Sequence, residues 1–251
     1  MALLEKKDSV GIITLDRPNS KNLINRRLVS ELEDIRREIN MDDDIRVITL
    51  NGKESFSSGT DFDDGGNFEN KSDTISSLSS SSIIASFDQP TIAAIDGDAF
   101  GQGLELALAC DLRICTDRAR FTMDQLLRGD IPWDGGTQRL SRLVGRGKAM
   151  EMILTGEIID AREADRIGLV NRVVPAEELM RIVMDMCGEM ASKGPIALKF
   201  AKEAMAKGMD MTMEQGLRLE ADLYFLLHTT KDRTEGIKAF KEKRSPKFVG
   251  R

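Results

Sequence analysis

The run TIAAIDGDAFGQGLELALAC at residues 91–110 leaves few folds open to this chain. TIAAID reads as a short apolar strand, GDAFGQG as a tight glycine turn, and residues 104–110 as an apolar helix. A strand delivered through glycines onto a helix N-terminus leaves backbone N–H groups facing outward with the positive end of the helix dipole behind them. Such a turn suits an anion, or an oxygen on which negative charge develops during a reaction. Glu105 follows Gly103 by two residues, in the first helical turn. By position alone it is either a partner of the helix dipole or a chemical group.

The surroundings read as alternating strands and helices. Residues 9–16 (SVGIITLD) form a β-rich run closed by the turn-forming RPNSKN. Leu28, Leu32, Ile35 and Ile39 recur at helical spacing, and residues 45–50 (IRVITL) make a second strand. Strand, helix and strand in this order indicate a layered α/β unit. Residues 52–82 are rich in Gly, Ser and Asp and read as a loop leading into a short polar helix that ends on Ile83, Ile84 and Phe87. A β-like run follows at residues 111–115. Beyond Gly145 the chain reads as mostly helical, with capping patterns at Asp160/Glu163 and Thr212/Gln215 and a helix start at Pro175, Glu177 and Glu178. Gly194 and Pro195 mark the joint between a core and a C-terminal helical region.

Composition narrows the function. The 251 residues carry 36 Lys+Arg against 42 Asp+Glu, a net charge of −6, which speaks against nucleic acid as a partner. No uncharged apolar run approaches the roughly 18–20 residues of a membrane span, and MALLEKKDSV lacks the apolar core of a signal peptide. The expected location is therefore cytoplasmic, away from membranes. Three cysteines, Cys110, Cys115 and Cys187, show no metal-ligand spacing and read as structural thiols. A single histidine, His228, disfavours catalytic triads and multi-histidine metal sites.

Six segments, in order, resemble the crotonase (enoyl-CoA hydratase/isomerase) superfamily. They are LDRPNSKN, FSSGTDF, IAAIDGDAFGQGLELALACDLRI, GDIPWDGGTQRLSRLVG, AMEMILTGEIIDAREADRIGLVNRVVP and GIKAFKEKRSPKF. The resemblance implies an α/β fold: a crotonase-like spiral of ββα units over residues 1–193, with a C-terminal helical oligomerisation region over 194–251 that forms homotrimers or homohexamers. It also implies an acyl-CoA thioester as substrate and no separate cofactor, since coenzyme A is part of the substrate.

On the same resemblance, the backbone N–H groups of Thr60 and Gln102 form an oxyanion hole for a thioester enolate, and Glu105 is the acid/base. Gln102 stands where the family usually has glycine. Gln125 stands where hydratases carry a second glutamate, and an amide orients water but does not exchange protons near neutral pH. Its presence also removes a like charge that would raise the pKa of Glu105. Asp134 in IPWDGG is a candidate replacement acid, against the plainer readings of a solvated loop residue or an N-cap for GTQRL. Trp133 is expected to wall the acyl pocket. Coenzyme A is expected to meet Ser58 and Asp61 through their backbone, with Lys21, Arg17 and Lys243 supplying positive charge; Asp63 replaces a lysine common in hydratases. The resulting expectation is a hydratase or isomerase acting through Glu105. Thioester hydrolysis or decarboxylation on the same site, or a catalytically weak protein that binds CoA or RNA, are its alternatives.

Overall fold

The computed structural model describes residues 1–61 and 77–251. Asp63 lies outside the described residues. Six strands form the main sheet: β1 (Ala2–Lys7), β2 (Val10–Leu15), β3 (Val47–Gly52), β4 (Thr91–Ile95), β6 (Leu112–Thr116) and β9 (Arg172–Val174), paired in the order β1-β2-β3-β4-β6-β9. The β1/β2 pair is antiparallel and every other pair is parallel. The β-rich run near the start is thus one arm of a hairpin, whose first arm, LLEKK, is too charged to stand out in the sequence. A second sheet joins β5 (Asp98–Phe100), β7 (Arg120–Thr122) and β8 (Ile159–Asp160).

Side chains on successive strand residues point to opposite faces, and both faces of the main sheet are covered. Ile48, Leu50, Ala93 and Ile95 enter the larger core together with Leu28, Leu32, Ile35 and Ile39 of α1 (Arg26–Asn40). Val47, Ile92, Ala94 and Ile114 point the other way, onto Leu179, Val183 and Cys187 around α7 (Leu179–Ala191). The apolar positions at helical spacing therefore do form a helix, begun by Asn25, whose side chain accepts the Leu28 N–H at 2.9 Å.

Between these layers sit α2 (Ser80–Ala85), which buries Ile83 and Ile84, and the buried α3 (Gln102–Leu108). The helices α4 (Gly136–Val144), α5 (Arg146–Thr155) and α6 (Ala161–Arg166) follow. Asp160 caps α6 by accepting the Glu163 N–H, but Glu163 turns its carboxylate to Arg166 and Lys148, so the reciprocal half of the expected capping box is absent. At Thr212/Gln215 both halves form. The Pro175 segment opens as a 3-10 turn, Ala176–Glu178, before α7.

Gly194 is the N-cap of α8 (Pro195–Gly208), which is followed by α9 (Met213–Leu227) and α10 (Lys231–Glu242). This helical end is tied back to the sheet by two cations. Lys202 meets Asp111 at 2.8 Å and the Gln89 carbonyl at 2.9 Å, and Arg46 donates to the carbonyls of Ala191 and Phe248. No helix among the described residues is long and apolar enough to cross a membrane. Cys110, Cys115 and Cys187 are free and buried, and burial pushes each thiol up to about 12, which keeps it protonated and unreactive.

The glycine turn works by close approach. Segment 56–60 runs beside 96–100, with Ser57 N–H on the Asp98 carbonyl at 2.9 Å and Phe100 N–H on the Ser57 carbonyl at 3.0 Å. A Cβ on Gly103 would lie 2.4 Å from the Ser57 oxygen, so only glycine lets α3 begin against that segment. Gly103→Ala is expected to cost about 1–3 kcal/mol of unfolding free energy through this overpacking, measured by urea denaturation.

Candidate active site

The helix after the glycine turn starts at Gln102, two residues earlier than its apolar run suggests. Gln102 is thus the first helical residue, whose N–H has no carbonyl one turn back to bond. This backbone N–H donates to no other group among the described residues. Segment 57–61 passes directly beside it: a Cβ on Gly59 would lie 3.7 Å from the Gln102 nitrogen. Within that segment Ser58 N–H goes to the Lys21 carbonyl at 3.0 Å and Asp61 N–H to the Ile24 carbonyl at 2.8 Å, while the Thr60 N–H between them has no partner among the described residues. Two unspent backbone donors, Thr60 and Gln102, therefore meet where the sequence places an anion-binding turn.

Glu105, one turn along α3, has no exposed surface. Its Oε1 accepts the N–H of Asp134 at 2.9 Å and of Gly136 at 2.8 Å, and its Oε2 accepts Nε2 of Gln125 at 3.1 Å. The carboxylate is turned to the 125–136 segment and takes no N–H from its own helix, so it is not simply a dipole partner. Burial pushes its pKa up to about 7, the negative charge of Asp134 adds to the rise, and the three donors oppose it. A raised pKa thus arises without a second glutamate, because loss of hydration outweighs the missing like charge. Gln125 opens the 3-10 turn Gln125–Arg128; it is 4% exposed, and its Oε1 has no hydrogen-bond partner among the described residues. A buried acceptor beside a carboxylate is a place for a donor such as water.

Asp134 is neither solvated nor an N-cap. It is 5% exposed, and the cap of α4 is Gly135, with no side-chain bond. The Asp134 carboxylate instead reaches across to α2 and α3. Oδ1 accepts the Ser79 hydroxyl at 2.6 Å, and Oδ2 accepts the Ser80 hydroxyl at 3.2 Å, the Ser81 N–H at 3.0 Å and Nε2 of Gln102 at 3.2 Å. Gln102 also donates to the Leu78 carbonyl at 2.6 Å and accepts the Thr60 hydroxyl at 2.9 Å. Trp133, beside Asp134, is half-buried.

The candidates for coenzyme A separate into two places. Lys21, Ser58 and Asp61 share one loop cluster, where Asp61 pairs with Arg17 at 2.9 Å. The N–H groups of Ser58 and Asp61 are both engaged there, so only their carbonyls and side chains are left to meet a ligand. Lys243 stands apart, exposed at the end of α10 in a left-handed conformation. Sequence reasoning placed the serines at 79–81 in a short polar helix but gave them no role at the site, and it missed Gly136. A Cβ on Gly136 would lie 2.9 Å from Oε1 of Glu105, so the glycine pair in IPWDGG was the available signal.

Because the folded state raises the pKa of Glu105 from the ordinary 4.5 to about 7, its contribution to stability is fully present below pH 4.5 and is lost as pH rises through 7. The loss is about 3 kcal/mol at most. Glu105→Gln is expected to flatten this part of the stability profile between pH 5 and 8, read from urea unfolding of both proteins across that range.

The geometry has relatives. Residues 5–251 match the family model described as enoyl-CoA hydratase/isomerase. A probable enoyl-CoA hydratase of Mycobacterium tuberculosis is 37% identical, covering 99% of this chain and 98% of that protein. A crotonyl-CoA hydratase of Syntrophomonas wolfei is 36% identical over 99% of this chain and 98% of its own length. The crystal structure of an enoyl-CoA hydratase from Bacillus anthracis superimposes with a TM-score of 0.95 at 39% identity, covering 100% of this chain and 99% of that one. With the fold, the glycine turn and the match running the length of the molecule, this chain belongs to the enoyl-CoA hydratase/isomerase (crotonase) family of enzymes.

Proposed function

We propose that this protein hydrates a 2-enoyl-CoA thioester with Glu105 as its one acid/base. The observation that carries the reading is the fully buried Glu105 carboxylate, held by the Asp134 and Gly136 N–H groups and three residues along the helix from Gln102, whose N–H, like that of Thr60, has no partner among the described residues. Burial pushes the carboxyl pKa up to about 7. In this mechanism the thioester oxygen accepts from Thr60 and Gln102. Ionised Glu105 takes a proton from a water held against Gln125 as the water oxygen bonds to the β-carbon, and the double-bond electrons move onto the thioester as an enolate. Glu105 then returns that proton to the α-carbon, so that the elements of water are added and the enzyme is restored. The oxyanion donors supply the largest share of stabilisation, since charge appears on that oxygen only as the reaction proceeds.

The remaining assignments belong to the same reading. Trp133 walls the acyl pocket; Ser58, Asp61 and Lys21 hold coenzyme A, with Lys243 on a phosphate. Residues 1–193 act as the catalytic core. Residues 194–251 form the oligomerisation region of a homotrimer or homohexamer, a role supported by exposed apolar side chains such as Met205, Met213, Leu217, Phe225 and Phe240. The cytoplasm is the compartment assigned. A short acyl chain is supported by the Syntrophomonas wolfei relative, which acts on crotonyl-CoA by its name.

One observation favours a second reaction. With an amide at Gln125, Glu105 is the only carboxylate of the 105/125 pair, which equally suits moving one proton within a 3-enoyl-CoA to give the 2-enoyl isomer.

Incubation of the protein with crotonyl-CoA and 3-enoyl-CoAs, followed by mass spectrometry in deuterated water, separates the two. Hydration adds the mass of water with one α-deuteron, and isomerisation leaves the composition unchanged apart from exchange. Release of free thiol or carbon dioxide instead would overturn both readings. Glu105→Gln is expected to lower kcat by about 10³-fold. In the wild type kcat/KM is expected to rise with pH to a plateau above about 7 as the base ionises.

A further inference from the structure

We propose that Asp134 is a positioning residue that locks the acid/base and both oxyanion donors into one geometry, acting through the side chain of Gln102. The inference rests on the function proposed above, and concerns how that site is held.

A continuous chain of hydrogen bonds carries it. Oε1 of Glu105 accepts the Asp134 N–H at 2.9 Å, Oδ2 of Asp134 accepts Nε2 of Gln102 at 3.2 Å, and Oε1 of Gln102 accepts the Thr60 hydroxyl at 2.9 Å. One residue therefore touches the proposed base with its backbone and Gln102 with its side chain, and Gln102 in turn holds Thr60. Both atoms of the Gln102 amide are engaged: its oxygen takes Thr60, and its nitrogen gives to both Asp134 and the Leu78 carbonyl. A flip of that amide would reverse each of these bonds, so its orientation is fixed. With its side chain pinned at three points, the peptide that presents the Gln102 N–H has little freedom.

The same carboxylate fastens α2 at its first turn. Ser79 occupies the N-cap but makes no side-chain cap, and the Ser81 N–H is satisfied by Oδ2 of Asp134 instead. Both carboxylate oxygens are engaged by donors, and none of those donors belongs to the Glu105 or Gln125 side chains. A group acting as the replacement acid needs an oxygen presented to the reacting atoms; here both oxygens hold the scaffold.

The two roles part in mutants. In Asp134→Asn, the amide nitrogen can take the Oδ1 place and donate to the Ser79 hydroxyl, which accepts as well as donates, while the amide oxygen keeps the Oδ2 bonds. A positioning residue tolerates this change and an acid does not. The experiment measures kcat, KM and pH profiles for Asp134→Asn, Asp134→Ala, Gln102→Ala, the double variant Asp134→Ala/Gln102→Ala, and Glu105→Gln as control.

The expected result is that Asp134→Asn keeps kcat within about tenfold of wild type, with the rise near pH 7 unchanged. Asp134→Ala is expected to lose about 100-fold in kcat with KM within about threefold, and to cost no more than about threefold further once Gln102 is already alanine. An Asp134→Asn protein as inactive as Glu105→Gln, or losses at 134 and 102 that simply multiply, would overturn the proposal. Should Asp134→Ala fail to fold, the asparagine variant still decides between acid and scaffold. A fully active Glu105→Gln would remove the function reading itself, whereas an inactive one combined with contrary results at 134 removes only the positioning role.

Discussion

The N–H groups of Asp134 and Gly136 converge on Oε1 of Glu105, and much of the site depends on that convergence. A carboxylate with no exposed surface is costly to ionise, and without donors burial alone would keep it protonated. Two backbone N–H groups and one amide bring it back to a pKa near 7, where both protonation states are accessible. Backbone donors achieve this without adding a positive charge, which would pull the pKa down much further. They also require close approach, and Gly136 permits it by carrying no Cβ.

The fold supplies these parts from four separate stretches of chain. Ser57 to Thr60 lies along residues 96–100, which brings the Thr60 N–H beside the first turn of α3, where the Gln102 N–H also has no partner among the described residues. Gln125 comes from the 3-10 turn after β7, and Asp134 from the segment before α4. The two cores on opposite faces of the main sheet hold these stretches, and the serines at the start of α2 complete the contact through Asp134. The same packing leaves Glu105 with no exposed surface. Exclusion of water is what makes an oriented N–H effective at stabilising charge, because little competing solvent screens it.

Several elements were legible because a local pattern has a local physical cause. The apolar stripe of Leu28, Leu32, Ile35 and Ile39 needs only the helical repeat, and the Thr212/Gln215 capping box closes within one turn. The hairpin arm β1 was not legible, since its residues are mostly exposed and charged and its pairing partner lies beyond a turn at Asp8. The role of the serines at 79–81 was hidden for a similar reason, although the short polar helix they open was legible. Their partner, Asp134, is more than fifty residues away, and no local spacing announces such a bond.

By itself the sequence determined the strand, glycine turn and helix at residues 91–110, the α/β class, and through its ordered motifs the family and the identities of Glu105, Gln125, Thr60 and Gln102 as the residues to examine. Tertiary structure decided what state those residues are in. The pKa of Glu105 follows from its burial, which depends on packing by segments distant in sequence. The place of Asp134 was decided the same way. Its composition and position allowed an acid, a cap or a solvated loop residue, and only the folded chain brings the Ser79, Ser80, Ser81 and Gln102 donors onto its two oxygens. Hydrogen bonds act over about 3 Å in space, and separation along the chain does not encode which groups will come that close.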